Sequence, residues 1–136
     1  MRKIMLAALL LAALAVVGVG YATAGDDGDG IRAWAQVNPN GGSPVLVRAS
    51  GFVAVTSPTK GIYCLRAAPR VGLVNTAPVV SQETNLSTTL GIVTVRRSGI
   101  PNTLCPVDQL MVSTWDAANP GALTTVDTVG FDVIVP

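Results

Sequence analysis

From residue 31 to residue 136 the chain is a series of short stretches in which apolar and polar positions alternate, separated by Pro, Gly, Asn and Ser. A period of two belongs to a pleated strand with one buried face; a helix would repeat its apolar positions at three and four. Residues 31–37 (IRAWAQV) set Ile31, Ala33, Ala35 and Val37 on one face and Arg32, Trp34 and Gln36 on the other. Asn38-Pro39-Asn40-Gly41-Gly42-Ser43-Pro44 is a turn cluster, and 45–50 (VLVRAS) follows it. Gly51 precedes 52–57 (FVAVTS), and Ser57-Pro58-Thr59-Lys60-Gly61 leads into 62–67 (IYCLRA). Residues 71–74 and 78–81 are shorter candidates, and 89–97, 109–115 and 129–135 complete the set. No ten-residue stretch of this part carries helical spacing.

The pattern predicts an all-β domain over 31–136: a single antiparallel β-sandwich of about seven or eight strands, with a small closed barrel as the alternative. Its core is expected to hold Val37, Val47, Val53, Val55, Tyr63, Leu65, Val93, Val95, Val112, Phe131 and Val133. The strict immunoglobulin arrangement is excluded, because Trp34 precedes both cysteines and Trp115 follows both.

The first thirty residues follow different rules. Arg2 and Lys3 stand before an apolar run over 4–20, and Ala22-Thr23-Ala24 comes next, the layout of a secretory signal peptide occupying 1–24. The run falls short of the roughly 20 residues that span a bilayer. Gly18 and Gly20 also break its end, which favours cleavage over retention as an anchor. Residues 25–30 (GDDGDG) read as a flexible acidic leader. Asp27 and Asp29 have the spacing that opens a calcium loop, but its fifth position would be Ile31 and its twelfth Asn38, so the loop fails. The expected location is secreted or extracellular, or periplasmic where the host has an outer membrane, with no membrane span after cleavage. An oxidising compartment predicts that the two cysteines, Cys64 and Cys105, form one disulfide.

Composition narrows the chemistry. Hydrophobic residues make up 49% and charged residues 12%, too apolar a mixture for a disordered chain. Beyond residue 24, seven basic side chains face eight acidic ones, which gives no basic surface for nucleic acid. The sequence has no histidine, so the commonest general base and metal ligand is missing. Glu83, Asp108, Asp116, Asp127 and Asp132 read as single carboxylates near turns, and Lys60 as a solvated turn residue. Arg66, Arg70, Arg96 and Arg97 read as surface arginines, and Asn85-Leu86-Ser87 as a sequon that matters only in a eukaryotic host. No catalytic residue, metal site or cofactor is expected. Most of the five aromatics beyond residue 24 are needed for the core; Trp34 and Trp115 are the candidates for ligand contact, since Trp faces hold sugars by stacking.

The strands beginning Ala33-Trp34-Ala35-Gln36-Val37, Gly51 before Val53-Ala54-Val55, the run Gly61-Ile62-Tyr63-Cys64 and the ending Phe131-Asp132-Val133-Ile134-Val135-Pro136 together form a pattern. It resembles small uncharacterised secreted bacterial β-rich proteins over almost all of 31–136. The resemblance implies an exported β-rich domain, sometimes near phage-tail-like or surface proteins, and carries no catalytic residue. The expected function is a non-catalytic structural or binding module acting on a cell-envelope, glycan or protein surface. The alternative is a small secreted hydrolase or inhibitor.

Overall fold

The structure, a computed structural model, describes residues 31–74, 76–96, 104–118 and 122–136. The signal peptide and leader expected over 1–30, and Arg97, lie outside them. Eight strands form: β1 (Ala33–Asn38), β2 (Val45–Ser50), β3 (Phe52–Thr59), β4 (Ile62–Ala67), β5 (Val79–Glu83), β6 (Gly91–Arg96), β7 (Leu110–Asp116) and β8 (Gly130–Val135). Every pairing between them is antiparallel. They make two four-stranded sheets, A in the order β2-β1-β8-β5 and B in the order β3-β4-β7-β6. The sheets pack face to face and do not close into a barrel, as a sandwich requires.

The core lies between them. Ala33, Ala35 and Val37 of β1 and Phe131, Val133 and Val135 of β8 meet Tyr63 and Leu65 of β4 and Leu110 and Val112 of β7. The Tyr63 and Phe131 rings touch across the gap, centroids 5.3 Å apart and tilted by 50°. Each Val, Leu or Phe side chain among them, fully withdrawn from water, contributes about 1.5–3 kcal/mol.

Val37, Tyr63, Leu65, Val112, Phe131 and Val133 are buried as the alternation predicts, and Val55, Val93 and Val95 pack against the core from half-buried positions. Val47 and Val53 do not: both are exposed. The cause is the same in each strand. Gln36 pairs with Arg48 and Val37 with Leu46, so Val47 is an extra residue in β2; Phe52 pairs with Ala67 and Ala54 with Arg66, so Val53 is an extra residue in β3. A bulge inserts one residue and hands the following ones to the opposite face. Leu46 and Phe52 take the places that Val47 and Val53 were expected to fill.

Residues 71–74 are no strand but part of the crossing from sheet B to sheet A. Leu73 plugs into the core there, and its carbonyl accepts a 2.7 Å hydrogen bond from the Thr76 hydroxyl. The disulfide forms as expected between Cys64 and Cys105, with Cα atoms 5.5 Å apart. Cys64 sits on the outer face of β4, where Ile62, Cys105 and Met111 make a second apolar cluster. The chain before β7 therefore covers sheet B, and Ile62 through Leu65 are buried on both faces of the strand.

Candidate functional site

The outer face of sheet A is built by register. β1 and β5 both pair with β8, so their outward residues line up across it. One line runs Trp34, Ile134, Val79, and all three are open to solvent, at 38%, 41% and 61% of full exposure. The adjacent line runs Arg48, Gln36, Asp132, Ser81 across all four strands. Three large apolar side chains in neighbouring register positions on one sheet face form a patch, unlike scattered exposed residues that need no explanation. Trp34 is held there because Ala33 and Ala35, its small neighbours along β1, face the core.

Glu83 stands one step beyond Ser81 on the same face and reaches both Asp132 and Gln36 with its side chain. The expectation of carboxylates scattered singly is thus corrected: the antiparallel pairing of β5 with β8 brings these two together, 49 residues apart in sequence. Their acidities diverge. Burial first, and then the hydrogen bond and negative charge of Glu83, push the Asp132 carboxyl above the ordinary carboxylate range. Glu83 is held below it, chiefly by the Asn85 backbone N–H, which donates to Oε1 at 3.0 Å. The pair thus sets a carboxyl that holds its proton more tightly than usual beside one that releases it more readily. It lies on an open sheet face, and hydrogen-bonded carboxyls stand closer than the roughly 5–9.5 Å that glycoside hydrolysis uses.

Trp115 is not part of this surface. It lies on the outer face of β7 in sheet B, half-buried, beside Ile92, and its indole N–H donates to the Thr94 hydroxyl at 3.2 Å. The two tryptophans thus occupy opposite outer faces of the sandwich and share no platform.

The remaining carboxylates have separate duties. Asp127 Oδ1 accepts from the Gly61 N–H at 2.6 Å and from the Tyr63 hydroxyl at 2.8 Å. Gly61 turns between β3 and β4 at φ +66°, and a Cβ there would come within 2.7 Å of the Val126 nitrogen. Its carbonyl accepts from Thr114 N–H at 2.9 Å. Glycine is required on both counts. Burial, and then Asp127, raise the Tyr63 hydroxyl far above the usual phenol value, so it stays neutral. Asp116 caps a turn through the Ala118 N–H at 2.8 Å, while Asp108 and Lys60 are exposed. Arg66, Arg70 and Arg96 are exposed as expected, and so is Asn85 of the sequon, which sits in a 3-10 turn. The Ser87 hydroxyl of that sequon donates to the Glu83 carbonyl and accepts from Gly130 N–H.

Among the described residues no group of three or more His, Cys, Asp or Glu is placed to hold a metal ion. No helix among them is long and apolar enough to cross a membrane. Gln36 shares the face of Trp34 by alternation along β1, whereas Ile134, Val79 and Arg48 were not singled out by sequence; each is an outward strand residue, and only the strand order shows that it joins this surface. No protein family, curated protein or solved structure matches this chain.

Proposed function

We propose that this chain is an exported, non-catalytic recognition module whose working surface is the outer face of sheet A. The observation that carries the reading is the aligned row Trp34–Ile134–Val79, open to solvent beside the polar row of Arg48, Gln36 and Asp132. An exposed indole face next to amide, carboxyl and guanidinium groups suits an amphipathic target such as a glycan, a cell-envelope polymer or a protein surface. Export is supported by the signal-like residues 1–24 and by the disulfide, which persists in oxidising compartments.

Binding of the purified protein to a glycan array and to isolated cell envelopes tests this. Trp34→Ala is expected to lower binding at least tenfold, and Trp115→Ala, on the other side of the sandwich, to leave it within about twofold. Equal loss in both variants, or no loss in either, overturns the reading.

The Glu83–Asp132 pair favours a second reading as a small hydrolase, since carboxyls with diverging acidities are the usual acid–base partners. Turnover of ester or peptide substrates that vanishes in Glu83→Gln or Asp132→Asn would establish that reading in place of the first.

A further inference from the structure

Resting on sheet A's outer face as the working surface, we infer that its partner is a second copy of this chain, packed face to face about a two-fold axis parallel to the strands. The charge layout supplies the reason. Across the polar row Arg48 stands at the β2 edge, and Asp132 and Glu83 stand on β8 and β5 toward the opposite edge. A two-fold axis between β1 and β8, lying in the contact plane, reverses the strand order of the copy while keeping each row at its own height. β2 of one copy then lies over β5 of the other, and β1 over β8. Arg48 then lies over Ser81 of the copy, between the copy's Asp132 on β8 and its Glu83 one step along β5, so that its long side chain meets both carboxyls, and the copy's Arg48 returns the contact. Trp34 lands on Ile134 in both directions, with Val79 beside it. The face is self-complementary in charge and in apolarity under that single operation, which is what an isologous dimer needs.

A quarter-turn or an axis across the strands does not do this. An axis across the strands sets each strand over its own copy, so that Arg48 falls on the β2 edge again and the carboxyls on the carboxyls.

The face is small. Four strands about 4.8 Å apart and six residues at about 3.4 Å each give a patch of roughly 20 by 20 Å, about 400 Å² on each copy and so below the roughly 1,200 Å² in total that stable interfaces bury. The dimer is therefore weak, with dissociation constants in the range of about 10 μM or above.

Sedimentation equilibrium of the purified protein from about 1 to several hundred μM reads the association. The wild type is expected to dimerise with concentration. Arg48→Glu and Glu83→Arg are each expected to weaken it at least tenfold, and the double reversal to restore it to within about threefold. Val79→Arg, at a position so exposed that folding is not at stake, is expected to abolish it. A monomer at every concentration overturns the inference, as does a dimer indifferent to these substitutions or a double reversal that fails to recover. If the monomeric protein still binds glycan or envelope through Trp34, the sheet A surface stands and only the second copy is lost. If a dimer forms elsewhere and Trp34→Ala leaves envelope binding untouched, both fail.

Discussion

Asp127 is expected to act on stability, and its removal can be followed bond by bond. Its Oδ1 serves two donors from one hairpin, the Gly61 N–H at 2.6 Å and the Tyr63 hydroxyl at 2.8 Å. Tyr63 is fully buried, so replacing Asp127 by Ala leaves its hydroxyl and the Gly61 N–H away from bulk water. A hydrogen bond to a charged group contributes about 1.5–3 kcal/mol, and a buried donor left unmade costs about 1–3. The Tyr63 hydroxyl retains one recourse in the Thr114 side chain. Asp127→Ala is therefore expected to cost about 3–5 kcal/mol, toward the lower end if Thr114 takes over. Asp127→Asn keeps an acceptor but loses its charge and should cost about half as much, and Tyr63→Phe, which deletes one of the two bonds, about 1–2 kcal/mol. For a domain of this size 3 kcal/mol lowers the melting temperature by more than about 10 °C.

Urea unfolding at pH 7, with the slope checked for constancy, gives the free energies directly. A loss below about 1 kcal/mol for Asp127→Ala would show that the corner tolerates solvent and would refute the reasoning. The phenol adds a pH test. Burial, and then Asp127, raise the Tyr63 hydroxyl, so the folded state prefers it protonated. Its contribution is complete below the unfolded value near 10 and declines as pH rises beyond it. Tyr63→Phe should remove that alkaline decline.

Two further outcomes follow from the disulfide and the carboxyl pair. Cys64 and Cys105 close a loop of sequence separation 41, so replacing both by Ala should cost about 4 kcal/mol, and thiol titration of the unreduced, unfolded protein should find no free sulfhydryl. Asp132, raised, favours the folded state at low pH and loses that contribution as pH climbs through its value. Glu83, lowered, contributes above its ordinary value and loses this as pH falls. Asp132→Asn, which stays neutral, should therefore raise the melting temperature more at pH 7 than at pH 4. Equal shifts at both pH values would count against a raised Asp132.

How much of this was readable beforehand follows from the range of each interaction. Strand positions came from alternation and turn residues, which act over a few neighbours, so 45–50 and 62–67 were placed to the residue. The disulfide needed no geometry, because only two cysteines were present to pair. Val47 and Val53 went astray because a bulge is a property of two strands: nothing in VLVRAS or FVAVTS says which residue the partner will skip. The candidate surface was half visible. Trp34 stood out as an aromatic between two alanines, but Ile134 and Val79 joined it only through β8, which inserts between β1 and β5 from the far end of the chain. Glu83 and Asp132 became a pair by the same insertion, and Asp127 found the Gly61 amide across 66 residues of chain. Local backbone preference and side-chain period specified the strands; strand order and register are set by burying all the inner faces at once, and they alone chose each outward residue's neighbours.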